Sequence, residues 1–372
     1  MRKKVLFLIY QLAGGGAEKV MVDIVNHMDQ SIYDITILTI IDCSEEARNI
    51  LSKGIKYDYL FKGKYKEDRL FFRLFYMFSP EILHKAFIRK KFDVKIAALE
   101  GIPSKIISGC KDSAIKKIAI IHADASNMAW PSGRYKNFHQ ENGSYNRFDH
   151  LIFVSKNTKK SFVDKFQIQI NKTLVLYNPF DFEIIKKRSL EPVEDFKKNS
   201  KFLFCAIGRL EKVKGFERLI TAFYKVQKNF KDIELIIIGN GKEYGNISKL
   251  INSYDLNEKV KLLGYCSNPY KYLRRSDCYI CSSWSEGLSS TVIEAMILEK
   301  PVVATDCGGM DELLRNYSNG IVVNNNISGL INGIEQFLKK SRENKIVNES
   351  YEETVLEKFT YEYYFGEMTK IM

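Results

Sequence analysis

Two glutamates with seven residues between them, Glu286 and Glu294, frame the stretch Ser285-Glu286-Gly287-Leu288-Ser289-Ser290-Thr291-Val292-Ile293-Glu294-Ala295-Met296. Upstream, residues 277–282 read as a short buried strand. Downstream, Val292, Ile293, Ala295 and Met296 supply the apolar side of a helix that Ser289, Ser290 or Thr291 can cap. The expected order is strand, loop with Glu286, and helix with Glu294 in its first turn. A loop that leaves the carboxyl end of a strand and feeds a helix N-terminus is where open α/β sheets bind anions. Backbone amides at Leu288, Ser289 and Ser290 can hold phosphate oxygens there, while the carboxylates accept hydrogen bonds from hydroxyl groups. Phosphate together with many hydroxyls describes a sugar nucleotide. The same residues admit a plainer reading, in which Thr291-x-x-Glu294 is a capping box and Glu286 a solvated loop charge.

A second cluster of chemistry-bearing residues is Gly208-Arg209-Leu210-Glu211-Lys212-Val213-Lys214-Gly215, which follows an apolar run. Arg209 offers a planar fork and Lys214 a mobile point charge, a pair suited to a diphosphate. Taken singly, such loops are usually solvated; with the Glu286 stretch at the same end of the same sheet, the two make one site. Near the N-terminus, Gly14-Gly15-Gly16-Ala17-Glu18-Lys19 opens a helix without matching G-x-G-x-x-G or the Walker pattern. A bare tight turn and a close backbone approach to a ligand both fit it. His122 closes the β-type run Ile120-Ile121-His122 and is expected to point into a cleft.

The elements that must position these groups alternate. Strands are expected at 4–10, 34–41, 94–99, 117–122 and 151–155, with a helix over 18–27 and helical stretches between the later strands. After a polar connector at 186–200, a second series begins. It has strands at 202–207, 234–239, 260–263, 278–281, 301–304 and 320–323, with helices at 216–228, 244–254, 269–275, 291–298 and 311–314. The chain end, 351–372, is helical in pattern. This alternation predicts parallel sheets covered on both faces, and 372 residues suit two such domains.

Composition narrows the function classes. Hydrophobic content of 45% and charged content of 27% are ordinary for a globular protein, and no apolar run approaches the ~20 residues that span a bilayer. The basic N-terminus starts like a signal peptide, but its apolar run is short and lacks a cleavage site, so a buried first strand in an intracellular protein is expected. Seven cysteines form no disulfide framework in a chain of this size, and Cys278 and Cys281 read as core filler within a strand. The five histidines show no zinc-ligand spacing. Net charge is +12, and it is uneven: residues 1–180 hold 29 Lys+Arg against 18 Asp+Glu, leaving 28 against 27 for the remainder.

The ordered set of motifs resembles the retaining nucleotide-sugar glycosyltransferases of family 4, with their two-Rossmann GT-B fold. It comprises the 14–19 loop, His122, Tyr177-Asn178-Pro179, Gly208-Arg209 with Lys214-Gly215, Ile238-Gly239-Asn240-Gly241, Gly264-Tyr265, Ser285-Glu286-Gly287 with Glu294, and Pro301-Val302-Val303-Ala304-Thr305. The resemblance implies an acceptor-binding Rossmann-like domain over 1–180 plus a C-terminal helix at about 358–372, and a donor-binding domain over 181–357, facing across a cleft. It further implies that Arg209 and Lys214 bind the donor diphosphate, that Glu286 holds donor-sugar hydroxyls, and that Glu294 binds the ribose. Gly287 and the amides of Leu288, Ser289 and Ser290 would touch sugar and phosphate. The Gly15-Gly16 loop would close over the phosphates, Gly264 would lie near the base, and His122 would support catalysis. The resemblance also implies front-face attack with help from the leaving phosphate, which needs no protein nucleophile. No D-x-D pair occurs in the sequence, so side-chain cations rather than a metal ion or other cofactor are expected. Leu288-Ser289-Ser290 departs from the Phe-Gly or Pro of many relatives and leaves the sugar open.

The expected activity is transfer of a hexose or N-acetylhexosamine from a nucleoside diphosphate, preferably UDP, to a lipid-linked or growing surface-glycan acceptor. A sugar-nucleotide epimerase and a non-catalytic glycan- or lipid-binding homologue are the alternatives. Residues 62–91 mix cations with Phe71, Phe72, Phe75, Tyr76, Phe78 and Phe87, as interfacial helices do. They predict peripheral contact with anionic membrane at the inner face of the cell membrane; a core-packing helix with a solvated face is the other reading. No nucleic-acid-binding motif is present.

Overall fold

The computed structural model describes residues 1–12, 16–62, 75–126, 132–194, 196–343 and 353–372. The chain divides into two compact units, Met1–Phe180 with Lys358–Met372, and Asp181–Glu357.

The first unit holds a seven-stranded sheet in the order β3-β2-β1-β4-β5-β6-β7. Its strands are β1 (Lys3–Ile9), β2 (Tyr33–Ile41), β3 (Lys56–Phe61), β4 (Val94–Ala97), β5 (Lys116–Ile121), β6 (His150–Phe153) and β7 (Thr173–Val175). All neighbours pair in parallel. The second unit holds six parallel strands in the order β10-β9-β8-β11-β12-β13. These are β8 (Phe202–Ile207), β9 (Ile233–Ile238), β10 (Val260–Gly264), β11 (Cys278–Cys281), β12 (Val302–Thr305) and β13 (Gly320–Val323). Helices cover such a sheet on both faces, which is why β9 reads IELIII and is buried along its whole length. Both sheets are doubly wound, as the alternation of elements predicts.

Four elements depart from the sequence expectation. β3 and β7 were not expected; each is an edge strand and only half-buried, so neither carries a continuous apolar run. The helix Ile327–Arg342 was also not expected, although Leu330, Ile334, Phe337 and Leu338 recur at helical spacing on its buried face and Asn326 caps it. The connector at 186–200 is shorter than expected, because Asp181 caps a helix over Phe182–Ser189. Among the described residues no helix is long and apolar enough to cross a membrane.

Candidate functional site

In the second unit the chain moves outward from β8 to β9 and β10, then returns to place β11 on the other side of β8. Loops after β8 and β11 therefore diverge at a topological switch point, where open α/β sheets form ligand crevices. The loop after β8 carries Arg209 and Lys214, and the loop after β11 carries Glu286. Lys214 Nζ lies 2.6 Å from Glu286 Oε1, and Ser283 Oγ donates to the same oxygen at 2.6 Å. The Glu286 side chain is 11% exposed and that of Lys214 24%, so the pair is partly desolvated and its hydrogen bond is charge-assisted. Both keep unused capacity: Glu286 Oε2 and two of the three Lys214 N–H bonds have no partner among the described residues. The Arg209 guanidinium is exposed and likewise unpaired.

Two glycines let these loops approach each other. Gly215 ends the short turn Lys212–Lys214 at φ +65°, and a Cβ there would lie 2.2 Å from Ser282 O. Gly308, at φ +57°, faces Glu286 O so closely that a Cβ would lie 1.9 Å away. Any larger residue at either position would push the Glu286 loop off the Lys214 turn.

The helix after this loop runs Ser290–Ile297, with Ser289 as N-cap and no side-chain capping bond. The capping-box alternative fails. Thr291 lies inside the helix, and its hydroxyl receives a hydrogen bond from Tyr279 Oη at 2.7 Å. Glu294 is the fifth helical residue rather than a first-turn one, and its Oε1 accepts from Tyr270 Oη at 3.1 Å. The backbone N–H groups of Leu288, Ser289 and Ser290 have no acceptor among the described residues, which is the open donor set that a helix start presents to an anion. Gly287 and Leu288 are half-buried beside them. Gly264 ends β10 at φ +73° with open space where a Cβ would stand.

The first unit repeats the topology. Its switch point lies between β1 and β4, and Glu100 follows β4 there, 6% exposed. Its Oε1 accepts the backbone N–H groups of His122 and Ala123, each at 2.5 Å. His122 is half-buried, and its Nε2 is buried with no hydrogen-bond partner among the described residues. Burial pushes its pKa below the usual histidine value, opposed by Glu100, Glu18 and the Ala98 backbone; the imidazole is neutral at pH 7. Gly16 is the exposed first residue of the helix Gly16–His27, and Gly15 lies outside the described residues.

Sequence reasoning missed Glu100, Ser283 and Tyr270. Glu100 closes the apolar run Ile96-Ala97-Ala98-Leu99, and an acid ending such a run was the available signal. Nothing in the sequence marks Tyr270 as the partner of a residue 24 positions away.

Comparison with known proteins bears on this arrangement. The family model described as "Glycosyltransferase Family 4" matches residues 14–184, and that described as "Glycosyl transferases group 1" matches residues 188–353. An uncharacterized glycosyltransferase of Methanocaldococcus jannaschii is 37% identical over 166 residues, covering 44% of this chain and 41% of the relative. The N-acetylgalactosamine-N,N'-diacetylbacillosaminyl-diphospho-undecaprenol 4-alpha-N-acetylgalactosaminyltransferase of Campylobacter jejuni is 32% identical over 200 residues, 53% of each chain. The chain thus spans about half the length of these curated relatives. Among solved structures, Anabaena HepE in complex with UDP superposes with a TM-score of 0.78 at 18% identity, covering 99% of this chain and 98% of that one; a likeness at that identity speaks for the GT-B fold alone. With two adjoining models spanning both units, the chain belongs to the family 4 glycosyltransferases and has the GT-B fold.

Proposed function

We propose that this glycosyltransferase moves a hexose or N-acetylhexosamine from a UDP-linked donor to a lipid-linked or growing surface-glycan acceptor, with retention at the anomeric carbon and with side-chain cations in place of a metal ion. The observation that carries the reading is the Lys214–Glu286 pair at the switch point of the second sheet. In this reading the donor diphosphate takes up the free N–H bonds of Lys214 and the exposed Arg209 fork. The sugar hydroxyls donate to Glu286, and the ribose hydroxyls to Glu294. The amides of Leu288, Ser289 and Ser290 receive phosphate or sugar oxygens beside Gly287, and the base lies near Gly264. As the glycosidic bond breaks, negative charge grows on the leaving diphosphate, and fixed cations stabilise that charge more than the ground state. A neutral, half-buried His122 is suited to hold substrate by a hydrogen bond at Nε2 rather than to serve as a cation. No cofactor takes part.

The unit containing residues 1–180 and 358–372 is proposed to bind the acceptor at the inner face of the cell membrane. The diphospho-undecaprenol in the Campylobacter relative's name supports a lipid-linked acceptor, and the UDP and UDP-glucose held by HepE support the nucleotide. Of the aromatic residues expected at the membrane, Phe75 is fully buried and Phe87 packs against it and Phe61, so these two belong to the core. Phe71 and Phe72 lie outside the described residues. Tyr76, Met77, Phe78 and Ile82 are exposed, the last at 53%, close in sequence to exposed Lys85, Arg89, Lys90 and Lys91. That mixture favours an anionic interface.

A thermal-shift panel of UDP- and GDP-sugars tests the donor, because a bound ligand raises the melting midpoint by mass action. The expected result is a shift with UDP-sugars; a shift with GDP-mannose alone would overturn the base assignment. Co-sedimentation with anionic vesicles that weakens as salt rises is expected for the membrane contact, and absent or salt-insensitive binding would count against it.

A further inference from the structure

The second unit contains a buried cation that the proposed donor chemistry leaves unused. Arg218, in the helix Phe216–Val226, is only 4% exposed. Its Nε donates to Ser282 O at 2.8 Å, and its Nη2 donates to Ser283 O at 2.6 Å and to Thr305 Oγ1 at 3.4 Å. The guanidinium carbon lies 3.6 Å from the centroid of the Trp284 ring. Nη1 is buried without a hydrogen-bond partner among the described residues. No carboxylate is bonded to this charge among the described residues.

For stability alone such a residue is a poor choice. A buried cation with an orphaned N–H is opposed by desolvation, and an apolar side chain of similar volume is often at least as stable. What Arg supplies and an apolar side chain cannot is a rigid fork that grips two successive carbonyl groups. Those carbonyls belong to Ser282 and Ser283, and Ser283 is the residue whose hydroxyl bonds Glu286. The same turn is tied to the Lys214 turn by Ser282 Oγ donating to Lys214 O at 2.9 Å and by Trp284 N donating to Val213 O at 2.7 Å. Thr305 Oγ1 closes the brace from β12 by donating to Ser283 O at 2.7 Å.

We infer that Arg218 is a positioning residue for sugar transfer: by gripping the Ser282 and Ser283 carbonyls beneath Trp284, it fixes the carboxylate of Glu286 relative to the ammonium of Lys214. It touches no substrate itself and acts through the turn. The inference rests on the donor-site reading above and adds a residue to it.

A double-mutant cycle separates positioning from general support. Arg218→Met is expected to lower kcat/KM for the UDP-sugar selected by the thermal-shift panel by about tenfold or more. In a Glu286→Gln background the same change is expected to cost less than about twofold, since the group being positioned has already been disabled. Arg218→Lys, which keeps the charge but not the fork, is expected to recover only part of the loss. Equal losses in both backgrounds, or native activity in Arg218→Met, would overturn the inference.

A spectroscopic readout holds even when no donor is found. The chain has two tryptophans, so Trp130→Phe leaves Trp284 as the sole tryptophan, whose emission is read by excitation at the red edge where tyrosine does not absorb. In that background Arg218→Met is expected to red-shift Trp284 emission and increase its quenching by acrylamide. Unchanged emission would show that Arg218 does not hold the turn. A panel with no binding nucleotide would instead remove the donor-site reading while leaving this optical result to stand or fall on its own.

Discussion

Glu100 and Glu286 occupy matching places in two similar sheets and differ in what holds them. Each follows the strand that lies across the switch point from the first strand of its domain, β4 beside β1 and β11 beside β8. Glu100 accepts two backbone N–H groups, which cannot leave without unravelling the end of β5. Glu286 accepts from a lysine and a serine side chain, which can rotate towards a ligand. The same topology therefore yields a structural carboxylate in one unit and an exchangeable one in the other. A buried acid is a candidate for chemistry when its partners are able to let go.

Exchanging the two acids for their amides is the sharpest way to break this comparison. Glu286→Gln is expected to lower transfer by about a hundredfold while moving the melting midpoint little, because a neutral amide still bonds Ser283. Glu100→Gln is expected to do the reverse. Losing charge-assisted bonds to two backbone amides costs about 2–3 kcal/mol, read as a midpoint lower by several degrees. If Glu100→Gln abolished transfer without loss of stability, the distinction between the two sites would fail.

A second contrast concerns pH. All five histidines lie in the first unit and none in the second. His84 is pushed down to about 4, by burial first and then by the charge of Lys95; burial also lowers His122 and His150. These rings are neutral in the folded unit, whereas in the unfolded chain they take up protons as pH falls through about 6.5. Their contribution to stability is therefore complete above that value and is lost as pH falls towards the folded pKa, to about 4 for His84. For the partly exposed His84 the effect is on the order of 1 kcal/mol. Melting midpoints at pH 7.5 and pH 5 should drop further for the native chain than for His84→Gln. Equal drops would place the sensitivity elsewhere.

Much of this is legible in the sequence, and the reason is physical. Buried parallel strands must be apolar throughout, so β8, β9, β11 and β12 announce themselves, whereas the half-buried edge strands β3 and β7 do not. Lys214 and Glu286 could be brought together from sequence because strand order puts their loops at one switch point. The capping-box ambiguity of Thr291 and Glu294 could not be resolved that way, since it depends on where the helix starts and on two tyrosines, Tyr279 and Tyr270, remote in sequence. Arg218 was invisible for a similar reason: a lone arginine on a helix reads as a solvated face until its burial is known.

The central claim is that side-chain cations at the switch point of the second sheet bind the donor diphosphate. Isothermal titration of UDP into the native chain and into Lys214→Met, both in excess EDTA, tests it most directly. The expected result is binding to the native chain without any divalent ion and an affinity about tenfold or more lower in Lys214→Met, the loss of one charge-assisted contact to phosphate. Binding that requires a divalent ion, or equal affinity in the two proteins, would contradict it.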